Sequence, residues 1–492
     1  MRTWIRSGEL VALILVLALG LLVSSPPAFA ASTRLVSPTG TDTGNCTVNP
    51  CKTIGYAIGQ SVSGDIISVA AGTYAEHLVV DRSLTLMGAN QGSTFIDGSA
   101  TGTPVTIGAP SFSLAVSMSR LTVSDGLAAT GGGIMSLPGS GFTNAVNLTK
   151  VSISDNRASG AAGQGAPGGG VYNGAGSTMQ VRNSVVLGNS AVGGAGAATG
   201  QSGGVGVGGG FYNAGTLSID RSTLSANLAV GGVGGRSAPG GAGAGGGIEN
   251  WGTLSIDRST VSTNQALGGT GGCCLGFFGA RGGFAQGGAV HGTGLLSFTN
   301  STISGNIAKG GRGGSGLISG GPGGAAQGGA ILDGSTQTLI NSTIAANLAI
   351  AGPGGCGHGG CGPDGISEGG GIDLISGSAD ATNLILATNA ARTGPDCNGT
   401  VSSGGHNLVG SDSSCSGFTG SGDLVNMDPD LGLLQNNGGP TFTQALLTGS
   451  PAINAADDTV CAAPPVKGID QRRLPRQYDP HCDIGAYEVQ PG

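Results

Sequence analysis

The chain has 492 residues and a formal net charge of −7, and only 10% of its residues are charged. No stripe of lysine or arginine runs along it, so a nucleic-acid partner is not expected. Glycine accounts for 102 residues and aromatic side chains for 4%, which excludes a large core filled by aromatic rings. Hydrophobic residues still make up 38% and recur in register, which argues against a disordered chain.

The first thirty residues have the pattern of an export signal. Arg2 and Arg6 precede a nearly continuous apolar run from 10 to 23, and Ala28-Phe29-Ala30 is a small-x-small cleavage site. We therefore predict a signal peptide over 1–30 and an extracellular or cell-surface mature protein. The run is too short to span a bilayer comfortably, and no transmembrane segment is expected in the mature chain.

Residues 31–130 are predicted to form an N-terminal cap and the first coils of a stacked array. A short helical stretch from Pro50 to Ile58 is followed by strands over 64–69 and 83–86. Cys46 and Cys51 are close enough in sequence for a local disulfide, as an exported chain favours. Helix and disulfide together would protect the exposed strand edge of the first coil.

Residues 131–391 repeat one unit seven times, with a period of 37 to 42 residues. Each unit starts with a glycine pair, continues with an inward aliphatic or aromatic residue, and ends in a Ser/Thr-rich strand. The inward column is Ile134, Val171, Phe211, Ile248, Val290, Ile331 and Ile372. A fixed period in this range indicates a stacked array. We predict an all-β fold, a right-handed parallel β-helix that is a single-stranded solenoid with three short strands per coil. A bladed propeller is the alternative, but its aromatic signatures are missing.

Asparagines recur at two places in the unit. One set closes the Ser/Thr-rich strand and is predicted to form a structural Asn ladder that hydrogen-bonds along the stack. The ladder residues are Asn156, Asn189, Asn227, Asn264, Asn306, Asn347 and Asn389. A second set, Asn173, Asn213, Asn250 and Asp333, is expected at a sharp corner with left-handed backbone.

A Gly-rich excursion follows each ladder asparagine, and all the excursions should leave one edge of the solenoid. Two interpretations stay open: flexible, soluble loops, or an ordered flap in which the excursions pack on one another. A calcium-loaded roll is disfavoured, because the aspartate of the GGxGxD repeat is missing.

Candidate functional residues are few. Asp220-Arg221 and Asp257-Arg258 occupy equivalent places in adjacent units. They resemble the site of β-helix enzymes that cleave acidic polysaccharides, in which aspartates hold calcium and an arginine or lysine is the base; the other interpretation is a ladder of ion pairs. Tyr172, Tyr212 and Trp251 lie on or beside one outward column and are candidate ligand-binding residues for sugar rings. No catalytic triad and no His-Glu-x-x-His motif is present, so no catalytic residue is assigned.

The remaining cysteines favour disulfides over metal. Cys397 with Cys415 and Cys461 with Cys482 are predicted pairs. The pairing of Cys273, Cys274, Cys356 and Cys361 stays open. With His358 they include soft metal ligands, but cysteines of an exported chain are more often oxidised. No metal and no cofactor is expected.

Two stretches resemble known families. Residues 50–88 look like the opening of many exported bacterial right-handed β-helix proteins, and Gly328-Gly329-Ala330-Ile331 with its downstream strand is similar to the repeats of polymorphic outer membrane proteins, which are adhesin-like. The final region, 392–492, is expected to hold the last coils and a C-terminal cap. It resembles the choice-of-anchor Q domain of bacterial surface proteins at 428–432, 437–441, 449–453, 470–472 and 482–488.

These observations favour a secreted or cell-surface, non-enzymatic β-helix protein that is adhesin-like or binds surface glycans or cell-envelope components. The alternative is a carbohydrate-active enzyme, a polysaccharide lyase or glycoside hydrolase, on the same scaffold. Three or more carboxylates converging with an arginine or lysine in one groove would favour the enzyme.

Overall fold

The chain winds into a right-handed parallel β-helix. The computed structural model describes residues 31–273, 278–476 and 480–490. The predicted signal peptide and Cys274 lie outside the described residues. Two short helices, Ile54–Gln60 and Asp458–Ala462, accompany the strands. No helix in the described part of the chain has the length and apolar character needed to cross a membrane.

The strands form parallel sheets that run the length of the solenoid. The first sheet contains Thr33–Val36, Ile66–Val69, Gly72–Ala75, Leu84–Gly88, Thr94–Asp97, Leu114–Ser124, Asn144–Ser154, Ser177–Arg182, Val185–Leu187, Thr216–Asp220, Thr223–Ser225, Thr253–Asp257, Thr260–Ser262, Leu295–Thr299, Thr302–Ser304, Thr336–Ile340, Thr343–Ala345, Ser378–Thr382, Ile385–Ala387, Cys397–Gly405, Leu408–Val409 and Leu424–Val425. The second contains Leu78–Val80, Val105–Ile107, Ile134–Ser136, Val171–Asn173, Phe211–Asn213, Ile248–Asn250, Val290–Gly292, Ile331–Asp333 and Ile372–Leu374.

Two further parallel sheets complete each coil of the repeat region. The third contains Leu127–Ala128, Arg157–Ser159, Ser190–Val192, Leu228–Val230, Gln265–Leu267, Ile307–Lys309 and Leu348–Ile350. The fourth contains Ala166–Pro167, Gly206–Val207, Gly243–Ala244, Ala285–Gln286, Ala326–Gln327 and Ser367–Glu368. The other strands are Cys356–Gly357, Gly360–Cys361, Cys415–Ser416, Leu431–Gln435 and Thr443–Leu446. The three strands predicted per coil are therefore joined by two further short strands.

The core is a narrow tube of stacked aliphatic side chains. Ile134 pairs in parallel register with Val171, Val171 with Phe211, and Phe211 with Ile248. The same column continues to Ile372, and all seven predicted inward residues are at most 1% exposed. Each fully buried aliphatic side chain contributes about 1.5–3 kcal/mol, which a single coil could not collect without neighbours.

The asparagines at the end of the Ser/Thr-rich strand form a continuous buried ladder. Each side-chain amide donates to the carbonyl oxygen of the next asparagine, with Nδ2 to Oδ1 distances of 2.8 to 3.0 Å from Asn156 through Asn389. The last amide, that of Asn389, donates to Asp396 Oδ1 at 2.9 Å. The backbone N–H of each residue also bonds the same oxygen, so the ladder satisfies donors that the turn would otherwise bury unpaired.

The expectation of left-handed corners at Asn173, Asn213, Asn250 and Asp333 is wrong. These residues lie in strands, and the first three form a second buried ladder, with Nδ2 to Oδ1 distances of 2.7 and 2.8 Å. Left-handed backbone occurs instead where the first sheet kinks within each coil. The residues there are Asn183, Arg221, Arg258, Asn300, Asn341 and Asn383, with φ between 46° and 53°.

The Gly-rich excursions are not loose loops. They form a two-layer stack, the glycine layer, from residues 193–205, 231–242, 268–284, 310–325 and 351–366, as far as these are described. Each excursion has an outgoing segment and a return segment. Gly234 N donates to Thr270 O in the next outgoing segment at 2.9 Å, and Gly232 N donates to Gly204 O in the preceding return segment at 2.8 Å. This pattern recurs every third residue, the period of a polyproline II helix.

The two ends of the tube are closed differently. At the start, Ile54, Ala57 and Ile58 of the first helix are buried, and Cys46 forms a disulfide with Cys51. At the other end, the C-terminal segment, 432–476 and 480–490, does more than cap the last coil, because it runs back along the flank of the first sheet. Its contacts include Gln471 Oε1 with Thr302 Oγ1 at 2.6 Å and Arg476 Nη2 with Asn300 Oδ1 at 3.0 Å.

Candidate functional site

The two Asp-Arg pairs form one chain of ion pairs on the flank of the first sheet. Asp220 aligns with Asp257 in parallel register, and the left-handed residue after each is arginine. Arg258 Nη2 lies 2.9 Å from Asp220 Oδ1 and 2.7 Å from Asp257 Oδ2. Arg221 Nη2 lies 2.8 Å from Asp220 Oδ2. Both guanidinium groups are therefore held by carboxylates, and neither is positioned as an unpaired base.

Asp257 differs from an ordinary surface carboxylate. Burial, with repulsion from Asp220, raises the pKa of Asp257 to about 6, although Arg258 acts in the opposite direction. Its Oδ1 atom is buried without a hydrogen-bond partner. A carboxyl group with this pKa is able to hold a proton near neutrality. The structure brings two carboxylates together here, one fewer than the three that would have favoured an enzyme.

The proposed sugar-binding aromatic residues are only partly brought together. Tyr172 and Tyr212 stack on each other, with centroids 5.0 Å apart and an angle of 3° between the planes. Because one face of each ring covers the other ring, that face is closed to a sugar. Trp251 lies at the turn before the first sheet and is 53% exposed. The pair is thus a ladder between coils, and Trp251 remains the open aromatic face of the three.

The same outward column continues into a buried polar row that sequence analysis did not assign. Glu249 pairs with Tyr212 on one side and His291 on the other. Glu249 is 1% exposed, and its Oε2 atom lies 2.9 Å from His291 Nδ1. Although burial opposes a charged ring, the Glu249 carboxylate raises the pKa of His291. Alignment of the column residue by residue would have revealed this contact.

Asp373 lies further along the same column, beyond Leu332, near the end of the tube. It is 1% exposed, and Asn398 Nδ2 donates to its Oδ1 atom at 3.0 Å. Its Oδ2 atom has no hydrogen-bond partner. Burial raises the pKa of Asp373 to about 6. No arginine or lysine in the described residues forms an ion pair with it.

The cysteines are placed for structure. Cys397 bonds Cys415, Cys461 bonds Cys482, and Cys356 bonds Cys361 across a two-stranded hairpin that carries His358. Cys273 is exposed, and its neighbour Cys274 lies outside the described residues. Within 31–273, 278–476 and 480–490, no three His, Cys, Asp or Glu side chains converge as a metal site would require.

Comparison with known proteins gives distant structural similarity alone. No family model matches the chain, and no curated protein matches it. The chain is similar to pectate lyase Pel9A, with 13% identity, a TM-score of 0.43, and coverage of 94% of this chain and 98% of that one. It is also similar to XylC in complex with xylose, with 10% identity, a TM-score of 0.37, and coverage of 93% of this chain and 98% of that one. A further similarity is to pectin methylesterase PemA from Erwinia chrysanthemi, with 11% identity, a TM-score of 0.24, and coverage of 79% of this chain and 81% of that one. Similarity at this level carries no argument about activity.

Proposed function

We propose that the chain is an extracellular or cell-surface β-helix protein that binds glycans or other cell-envelope components without catalysis, as adhesin-like proteins do. The observation that carries the proposal is the closed ion-pair chain at Asp220, Arg221, Asp257 and Arg258. Each acid that the sequence offered for catalysis is held by arginine, and each arginine is held by an acid. The choice-of-anchor Q-like C-terminal region and the export signal belong to the same proposal.

One observation favours the alternative, a carbohydrate-active enzyme. A glycoside hydrolase needs a carboxyl group that holds a proton near neutral pH as its general acid. Asp257, with its pKa near 6, meets that single requirement.

Purified protein incubated with a panel of soluble polysaccharides separates the two functions. Retention in affinity electrophoresis reports binding. New reducing ends report hydrolysis of the polysaccharide, and unsaturated products report cleavage by a lyase. Binding without product is expected. Product formed by the wild type and lost in Asp257→Asn would establish the enzyme and overturn the non-catalytic proposal.

A further inference from the structure

The outer face of the return segments forms a regular, mostly apolar surface. Because every third residue points outward in this layer, equivalent residues of successive coils line up in rows. One row contains Pro239, Arg281, Pro322 and Pro363, and backbone hydrogen bonds hold it in register. The carbonyl oxygens of these residues accept from Gly203 N, Gly240 N, Gly282 N and Gly323 N, respectively. The next row, three residues later, contains Val205, Ala242, Phe284, Ala325 and Ile366. Val205 and Ile366 are 44% and 53% exposed, Ala242 and Phe284 are half-buried, and Ala325 is 5% exposed.

Two open cavities lie on this face, one on each side of Arg281 and Phe284. Their volumes are about 600 Å³ and 350 Å³, within the range of ligand-binding clefts. Both are lined by Arg281 and Phe284, so this pair forms a ridge between them. An extended ligand that occupies both cavities must cross Arg281, whereas a small molecule would fill only one.

Arg281 is held for recognition of an anion. Its guanidinium carbon lies 3.9 Å from the centroid of the Phe284 ring. No carboxylate in the described residues forms an ion pair with it. A planar guanidinium stacked on a ring keeps its N–H edge directed outward, and that edge matches a carboxylate in a bidentate arrangement.

The backbone of the layer limits what kind of ligand fits. A peptide that binds as an added strand needs unpaired backbone donors and acceptors at a sheet edge. Here the donors are already used, because Gly241 N bonds Gly232 O at 2.8 Å and Gly243 N bonds Phe284 O at 3.0 Å. Binding must therefore use the apolar row and Arg281. A sugar polymer with apolar ring faces and carboxylates presents both kinds of group.

The charge of the glycine layer supports the same ligand. The five excursions contain three arginines, Arg236, Arg281 and Arg312, and one aspartate, Asp364. The whole chain carries a net charge of −7. Of these four, only Arg281 and Asp364 line the cavities, and Asp364 lines the smaller one alone, so a polyanion is attracted to the larger cavity beside Arg281.

We propose that the outer face of the return segments, centred on Arg281 and Phe284, binds a polysaccharide that bears carboxylates. This inference rests on the proposed binding function and names its ligand class and its surface. The carboxylate contacts Arg281, and the sugar rings lie on the apolar row across neighbouring coils.

Affinity electrophoresis of the full chain in gels with alginate, dextran sulfate or dextran tests the proposal. Arg281→Gln is compared with Arg312→Gln, a matched loss of charge in an outgoing segment that lines neither cavity. Wild type and R312Q are expected to be retained by alginate, and R281Q to bind it about tenfold more weakly. Thermal unfolding midpoints of both variants equal to that of the wild type establish that folding is unchanged.

The other outcomes overturn the proposal in distinguishable ways. Alginate retention that R281Q leaves intact, or that R281Q and R312Q weaken equally, would place binding elsewhere while the proposed function stands. Stronger retention by dextran sulfate than by alginate would exclude carboxylate selectivity. Equal Arg281-dependent binding of poly-glutamate would exclude a saccharide as the specific partner. Absence of retention by every polysaccharide would remove the glycan-binding function itself.

Discussion

The tube and the glycine layer stack the same coils by different contacts. In the tube, coils meet through side chains, such as the Val171, Phe211 and Ile248 column and the asparagine ladder. In the glycine layer they meet mainly through backbone hydrogen bonds, as where Gly232 N bonds Gly204 O. A Cβ atom on Gly204 or Gly241 would overlap a carbonyl oxygen of a neighbouring segment.

This difference determines what each region tolerates. The tube accepts valine, phenylalanine or isoleucine in one column, because cores adapt to hydrophobic exchange when total volume is kept. The glycine layer accepts no side chain at its paired glycines, but it leaves every third position open to solvent. The tube therefore supplies stability, and the layer supplies a surface whose exposed residues can vary without loss of the stack.

The largest expected effect is a cavity in the tube. Phe298→Ala removes one of the two largest fully buried side chains and should lower the free energy of unfolding by about 3–5 kcal/mol. Leu295→Ala, in the same strand but 61% exposed, is the matched control. Urea unfolding measures both variants. Equal losses would mean that the interior column does not hold the coils together.

The asparagine ladder should come next. Asn264→Ala removes the acceptor for Asn227 N and Nδ2, at 3.0 and 2.9 Å, and the donor to Asn306 Oδ1 at 2.9 Å. Asn227 N would stay unpaired, while Asn227 Nδ2 and Asn306 Oδ1 would each lose one of two bonds, at a total cost of about 3 kcal/mol. Asn147→Ala, an exposed asparagine of the first sheet, should change stability little. The same denaturant titration checks both, and a loss shared by the two variants would contradict a special role for the ladder.

A smaller loss is expected in the glycine layer. Gly204→Ala places a methyl group against the carbonyl of Gln164 and should cost about 2 kcal/mol. Gly165→Ala is the control, since its Cβ would meet the movable side chain of Val205 at 3.1 Å. Differential scanning calorimetry compares the two midpoints. If both variants melt together with the wild type, the layer does not contribute to the cooperative unit.

The sequence predicted the tube because its signals are local and repeat in register. The inward aliphatic column and the ladder from Asn156 to Asn389 are both visible once the units are aligned. The order of the glycine layer was also encoded, in the triplets Gly231-Gly232-Val233 and Gly234-Gly235-Arg236, but composition alone suggested loose loops. The second ladder was misjudged because asparagine suits both corners and buried stacks.

The position of the C-terminal segment could not be predicted in this way. Gln471 Nε2 donates to Thr260 Oγ1 across 211 residues, and Ala486 N donates to Thr343 Oγ1 across 143. Contacts so distant in sequence leave no periodic signal. The ion-pair chain from Arg221 to Asp257 was predictable as two neighbouring pairs, whereas the bridging position of Arg258 depends on its left-handed backbone.

The smallest expected effect is a pH dependence in the polar row outside the tube. Because burial raises the pKa of Asp373 from 3.8 to about 6, the folded state holds this proton more tightly than the unfolded state. The stabilisation from protonated Asp373 is complete below about pH 4 and is lost as pH rises through 6. Asp373→Asn removes this slope and should be more stable than the wild type at pH 7.

Urea unfolding at intervals from pH 4 to pH 7 measures the free energy of unfolding of wild type and D373N. Because both proteins share every other titrating group, the difference between their free energies isolates the contribution of Asp373. The advantage of D373N should grow with pH across this window. Asp380→Asn, an exposed carboxylate in the strand Ser378–Thr382, should follow the wild type throughout. A D373N curve parallel to the wild type would show that Asp373 titrates normally, and that a buried row beside the tube holds a carboxylate without cost.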